Sequence, residues 1–433
     1  MTDGMGSTTE WQTGRVMRRL GRRKLVRGAA AAALSLPVAF GVPAIGRAAG
    51  TKTITIGMDF ALTGAEAEEA MTELDGAQLA VEDANAKHTV AGYELRTIVL
   101  NDATATAGGY DPAQSATNAR MFAQNSSIVA VVGPIDSGSA KAMLPILSEA
   151  GLAMVAGSTT SPDLTNPKFA AQTRQNGVTL VFFRTCGNEA FVEPGMVNFF
   201  YGKHNVRSAY ILDDGGAGGA GIADAFQAAA GKKGIKVLGR DTLNSKESDY
   251  TPILTKIKGL GPDLLEYGGI TLAGAKLAKQ AYDILPNTML RSDASGIYEG
   301  DFLKAVGFPA AEGWYATSAA PHVFDTPAGQ AWQILYIQRW HKQPSDYALT
   351  TYDAAVVVID AIARVEKSGQ LMNRANVRAA IQATNIQTLQ GPISFDTNGD
   401  LQHPIISIFQ VTRNTKYPDS DLSQFKYVGT TSP

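Results

Sequence analysis

The sequence predicts an α/β protein of two doubly wound lobes, each a parallel sheet covered by helices on both faces. Three observations carry that class. From Thr53 onwards, strand-like and helix-like segments alternate with short connections, which is how a parallel sheet is covered. The alternation restarts at Arg207, so the chain holds two such series. At 433 residues, 45% hydrophobic and 18% charged, it is long enough for two cores and too apolar for disorder.

The first series opens with the apolar run Ile54–Phe60, a strand. Thr72–Lys87 follows as a helix, because Leu74, Ala77, Val81 and Ala84 recur at helical spacing. Glu94–Leu100 reads as a strand, Pro112–Gln124 as a helix, Ile128–Gly133 as a strand and Ser139–Gly151 as a helix. Gly151–Ala156 is a buried strand that stops abruptly. The second series runs through strand Arg207–Asp214, helix Gly221–Lys233, strand Ile235–Asp241, helix Thr251–Gly259, strand Asp263–Gly269 and helix Thr271–Asp283. Helices Ala331–His341 and Thr351–Glu366 come next, and two strand-like pieces, Gly391–Asp396 and Pro404–Thr412, close the chain.

Residues 1–48 read as an export signal. The basic stretch Arg18–Gly28 precedes the apolar stretch Ala29–Gly46, and small Gly46 and Ala48 suit cleavage after Ala48. Arg22-Arg23-Lys24-Leu25 is similar to a twin-arginine motif. A membrane anchor is the other reading, but the apolar stretch is short and rich in Ala, Gly and Pro. This segment carries eight basic and two acidic residues, leaving 30 basic and 38 acidic in the rest. A mildly acidic body lacks the electrostatic footprint of a nucleic-acid binder. The single cysteine, Cys186, permits no internal disulfide and reads as a buried, inert thiol.

Catalytic signals are few. Gly216–Gly221 fits G-x-G-x-x-G between a strand and a helix, with Asp241 twenty residues on, the setting of a dinucleotide site. Against it, Asp213 and Asp214 stand where a pyrophosphate would sit, and a flexible loop has the same composition. There is no G-x-S-x-G, H-E-x-x-H or C-x-x-C, and the five histidines are scattered. No metal and no cofactor are expected.

Two hydroxylic stretches stand out, because ligands of open α/β sheets bind at the carboxyl ends of the strands. Ile128–Gly133 runs into Pro134–Ser139, and Gly151–Ala156 runs into GSTTSPDLT, residues 157–165. Asp136, Ser137, Ser158, Thr159 and Thr160 are therefore candidate ligand residues. Ser137–Ser139 also open a helix, whose free N–H groups favour an anion. The alternative is that these side chains cap the helix and satisfy their own turn.

These stretches, with Leu62–Gly64, Gly76–Asn85, Phe183–Thr185, Glu266–Gly269, Glu312-Gly313, Thr350–Tyr352, Gly391–Asp396 and Asn398–Asp400 in order along the chain, resemble the periplasmic leucine/isoleucine/valine-binding proteins. Those are the solute receptors of branched-chain-amino-acid-type ABC importers. The resemblance covers nearly the whole mature chain. It implies the type I periplasmic binding protein fold, with three crossovers near Asn188, Ala319 and Leu389. One lobe is then residues 49–188 with 320–388, the other 189–319 with 389–433. It also implies a small-molecule ligand at the hinge, permease partners, a monomer and a periplasmic location. Positions matching Ser137, Ser158 and Thr160 would hold the carboxylate and ammonium of an amino acid.

The resemblance also marks departures. The acid that clamps the ammonium aligns with Ala294, leaving neighbouring Asp293 as a substitute. Aromatic positions of the second lobe align with Ile270 and Gly218, and one near the first loop aligns with Glu69, while Tyr347 keeps an aromatic on the first lobe. Glu66, Glu68 and Glu69 are expected in the loop after the first strand, at the cleft mouth or as a solvated face. The expected function is an extracytoplasmic receptor for an amino-acid-like, carboxylate or amide solute other than a simple branched-chain amino acid. A sensor of the same fold is the alternative, with a dinucleotide-dependent enzyme behind it.

Overall fold

The computed structural model describes residues 52–174, 180–294 and 296–431; the export segment expected at 1–48 lies outside them. The first half of the chain runs β1 (Lys52–Phe60), α1 (Ala67–Ala86), β2 (Tyr93–Asn101), a small hairpin of β3 (Ala103–Thr104) and β4 (Gly109–Tyr110), and α2 (Pro112–Gln124). It continues through β5 (Ile128–Val132), α3 (Ser137–Glu149), β6 (Ala153–Ala156), the short α4 (Ala170–Thr173) and β7 (Phe182–Arg184). The large strands pair in parallel in the order β2-β1-β5-β6-β7. Ile128–Val132 and Ala153–Ala156 are buried along their whole length, which is why they read as unbroken apolar runs.

After β7 the chain enters α5 (Glu189–Lys203), β8 (Ser208–Asp213), α6 (Ala217–Lys233), β9 (Lys236–Thr242) and α7 (Thr251–Leu260). Next come β10 (Leu264–Gly268), α8 (Thr271–Ile284), β11 (Leu290–Asp293), α9 (Gly300–Val306) and β12 (Trp314–Ser318). The chain then returns to the first sheet with α10 (Pro327–Trp340), α11 (Asp346–Lys367), α12 (Arg374–Gln382) and the hairpin β13 (Asn385–Thr388) and β14 (Gly391–Ser394). β15 (Ile406–Val411) and β16 (Phe425–Thr431) rejoin the second sheet, whose order is β9-β8-β10-β11-β12-β15-β16. Its first five strands are parallel and the last two antiparallel.

Each sheet has its own core. Val357, Val358 and Ile362 of α11 pack with Ile56, Met58 and Val132 of the first sheet. Trp314, Phe226 and Leu277 fill the core of the second. Ile393, Phe395 and Leu401, expected in the second lobe beyond residue 389, bury their side chains in the first core instead. A two-stranded hairpin cannot carry a core of its own and takes the nearest apolar face. Among the described residues no helix is long and apolar enough to cross a membrane.

Candidate functional site

The order of the first sheet reverses between β1 and β5, and that of the second between β8 and β10. Such switch points open a crevice at the carboxyl ends of the strands. Residues that follow these strands line a common cavity of about 90 Å³.

One wall belongs to the first sheet. Asp136 and Ser137 follow β5, and Ser158 and Thr160 follow β6. The Ser137 hydroxyl accepts from the Ser161 N–H at 3.2 Å. Ser158 donates to Glu73 Oε2 at 2.8 Å, and Thr351 donates to the same oxygen at 2.6 Å. Glu69 and Glu73 stand one helical turn apart on α1, so both face the cavity. Ser345 donates to Glu69. Tyr110 and Glu66 complete this wall. A Cβ on Gly109 would lie 2.1 Å from Glu66 Oε2, so only glycine lets that carboxyl rest against the β3–β4 hairpin.

The facing wall comes from the second sheet: Asp214 and Gly218 after β8, Ile270 after β10, and Tyr298 and Glu299 before α9. Asp214 accepts from the Gly216 N–H at 2.8 Å and the Ile270 N–H at 3.1 Å. The walls touch. A Cβ on Gly218 would be 3.5 Å from Ser137 Oγ, and the Glu68 N–H donates to Asp301 at 2.9 Å. Tyr347, on α11, also lines the cavity and accepts from the Ala319 N–H at 2.8 Å.

The lining is acidic. Glu66, Glu69, Glu73, Asp136, Asp214 and Glu299 contribute carboxyls, and among the described residues no lysine, arginine or histidine lines the cavity. Removal from water penalises the charged form. Burial pushes Glu66 up to about 7 and Glu69 up to about 8. It also holds Glu73, Asp136 and Glu299 well above the usual carboxylate range, with neighbouring carboxyls adding to the effect. The backbone N–H groups of Tyr110 and Glu66 offset part of the rise at Glu66, and the Thr271 hydroxyl part of that at Glu299. None of these donors forms a hydrogen bond of good geometry with these carboxyls. Asp136 Oδ2, Glu299 Oε1 and both Glu66 oxygens have no hydrogen-bond partner among the described residues.

Of the sequence candidates, Asp136, Ser137, Ser158, Thr160, Glu69, Gly218, Ile270 and Tyr347 line the cavity. Thr159 and Asp293 do not. The Thr159 hydroxyl turns away to donate to the Pro134 carbonyl at 2.5 Å. Asp293 is fully buried behind the wall, accepting from the Gly296 N–H at 2.8 Å. Glu68 and Glu69 lie not in a loop but in the first turn of α1, where acidic side chains suit the helix dipole. Glu73, Tyr110, Asp214, Tyr298 and Glu299 escape a reading of the sequence as ligand residues, because they come from four separate segments with no common pattern. Tyr298 supplies the second wall with an aromatic side chain.

The glycine segment is not a free loop. From Ala217 it is the first turn of α6, and a Cβ on Gly219 would lie 2.5 Å from the Gly268 carbonyl. The glycines let α6 pack closely on β10. The Asp214 carboxyl already takes the Gly216 and Ile270 N–H groups that face it, where a pyrophosphate would be repelled.

The family described as periplasmic binding protein matches residues 53–416. The chain belongs to the periplasmic binding proteins. Like them it has the type I fold. A Leu/Ile/Val-binding protein homolog of Brucella melitensis is 29% identical over 358 residues, covering 82% of this chain and 91% of the relative. A leucine binding protein of Thermotoga maritima superposes with a TM-score of 0.74 at 20% identity, over 88% of this chain and 99% of that one. A branched-chain amino acid transporter substrate binding protein of Streptococcus pneumoniae, in complex with isoleucine, gives 0.71 at 19%, over 88% and 100%. In this periplasmic binding protein, the cavity at the two switch points is the candidate solute site.

Proposed function

We propose that this chain is the extracytoplasmic receptor of an ABC importer, exported by residues 1–48 on the twin-arginine or general route. It captures a small amino-acid-like, carboxylate or amide solute between two closing lobes. The observation that carries the reading is one cavity lined from both sheets, with Ser137, Ser158 and Thr160 on one wall and Gly218, Ile270 and Tyr298 on the other. A solute touching both walls stabilises the closed arrangement, which is the mechanism of a hinged receptor. Its mature form is a monomer that presents the closed lobes to the permease. Ser137 and Thr160 serve as hydroxyl contacts, and Ile270 and Tyr347 as apolar and aromatic ones.

Mass spectrometry of whatever co-purifies, followed by a thermal-shift screen of amino acids, amides and amines, tests the reading. A solute that binds only the native state raises the melting temperature. Small-angle scattering should show contraction when that solute is added to stripped protein. Identical profiles at saturation would count against a closing receptor.

A further inference from the structure

Six acids line the cavity, twice its three serine and threonine hydroxyls, and among the described residues no basic side chain does. An acidic patch alone says nothing about a ligand, since carboxyls often serve backbone or hydroxyl donors of their own chain. Here bonding divides the six. Glu69, Glu73 and Asp214 are hydrogen-bonded to Ser345, to Ser158 with Thr351, and to the Gly216 and Ile270 N–H groups. Glu66, Asp136 and Glu299 are 3%, 8% and 4% exposed and keep oxygens with no donor. Asp136 immediately precedes α3, yet its side chain caps nothing. Buried carboxyl oxygens without donors are costly to maintain. A site that keeps three such side chains is built for donors that arrive with the solute.

Resting on the receptor reading, we propose that the captured solute is a small organic cation bearing N–H donors, of the ammonium or guanidinium class, held by Asp136 and Glu66 from the first wall and Glu299 from the second. A carboxyl on each wall makes the cation the bridge that joins the lobes. Tyr110, Tyr298 and Tyr347 also line the cavity, and ring faces attract a cation. Among the described residues no three acids converge closely enough to hold a metal ion, so the charge they receive is a spread one. The cavity of about 90 Å³ is smaller than the roughly 150 Å³ that admits benzene, which favours a compact head group. A branched-chain amino acid is larger, and its carboxylate would enter beside Asp136.

Burial and mutual repulsion hold the lining carboxyls partly protonated, so an arriving cation displaces protons. Binding should therefore release protons and tighten as pH rises from 5 to 8. The charged groups facing Glu66 are Asp102 and Asp301, and those facing Asp136 are Glu66, Asp102, Glu73 and Asp214. Glu68 and Asp346 face Glu69, while Glu66, Glu69 and Asp301 face Glu299. The cation that bears on Glu69 is Lys342, itself paired with Asp75 at 2.8 Å.

The experiment is calorimetry and thermal shift on ligand-stripped mature protein with guanidinium, ethanolammonium, 1,4-diaminobutane, tetramethylammonium, urea, leucine, isoleucine and valine. Saturable binding of an N–H cation, with proton release in two buffers of different ionisation enthalpy, supports the proposal. So does at least tenfold weaker binding in both Asp136→Asn and Glu299→Gln, each melting within a few degrees of the parent; parent-like affinity in both overturns it. Equal binding of tetramethylammonium overturns the hydrogen-bonding role. Binding of leucine, isoleucine, valine or urea with none of the cations overturns the cation assignment and leaves the receptor reading intact. No binding by any probe overturns the cation assignment, and if the co-purifying solute also produces no contraction in scattering, the receptor reading falls with it.

Discussion

The guanidinium of Arg184 is fully buried and engages a partner through each of its nitrogens. It donates to the carbonyls of Thr159 and Ser161 at 2.9 and 3.0 Å, to Thr165 Oγ1 at 2.6 Å and to Asp400 Oδ1 at 2.6 Å. One side chain therefore holds the hydroxylic segment 157–165 in shape. Its hydroxyls divide accordingly: Thr159 and Thr165 serve the fold, whereas Ser158 and Thr160 line the cavity. Asp400 is presented by a turn in which Gly399 has φ +94° and a Cβ would lie 2.1 Å from the Phe182 carbonyl, so only glycine serves there. Removing one member of a buried, hydrogen-bonded charge pair costs about 3–5 kcal/mol. Arg184→Met should lose stability of that order in urea denaturation. A change within about 0.5 kcal/mol, the range of ordinary surface substitutions, would contradict this role. The sequence displayed Ser137, Ser158 and Thr160 because hydroxyls clustered where strands end. It could not separate Ser158 from Thr159, since adjacent residues of a turn point in unrelated directions.

Helices α1 and α11 cross at Gly76, where a Cβ would lie 2.2 Å from the Ala348 carbonyl. The crossing matters to the site because α1 carries Glu69 and Glu73 and α11 carries Tyr347. Tyr336 of α10 adds a clasp by donating to the Thr72 carbonyl at 2.8 Å. A side chain at position 76 must push the helices apart, and overpacking of this kind costs about 1–3 kcal/mol. Gly76→Val should lower the denaturation midpoint accordingly and weaken solute binding; an unchanged midpoint and affinity would show that the crossing has slack. Most long helices were legible from apolar spacing, yet α1 starts at Ala67, five residues before the periodic stretch. Its first turn is acidic and reads as solvated, which holds for Glu68, whereas Glu69 is buried and accepts from Ser345. β11 gives no strand signal for a related reason. Its residues Leu290–Asp293 include one apolar side chain, and the strand is buried because the sheet around it is covered on both faces.

Across the whole molecule the two lobes were legible as two alternating series, whereas the load of buried acid was not. Glu189 and Glu193 sit one turn apart on α5, a spacing that reads as a solvated face, yet both are fully buried, as are Glu266 and Asp293. None of the four carboxyl oxygens of Glu189 and Glu193 has a hydrogen-bond partner among the described residues. Burial pushes Glu189 and Glu266 up to about 8 from an ordinary 4.5, and holds Glu193 and Asp293 well above their usual range. Folding therefore takes up protons. The stability these groups contribute is fully present below about pH 4.5 and is lost as pH rises through about 8. Groups held low, such as Asp263 and Asp241, lose their contribution only below the usual carboxylate range. Between about pH 5 and 8.5 the buried acids should win, and the melting temperature of the stripped protein should fall steadily. Glu193→Gln, which removes one of the ionisations without changing side-chain volume much, should flatten that slope. A melting temperature that rises over this interval, or a slope indifferent to Glu193→Gln, would mean that water reaches these carboxyls and that they ionise without unfolding the lobe.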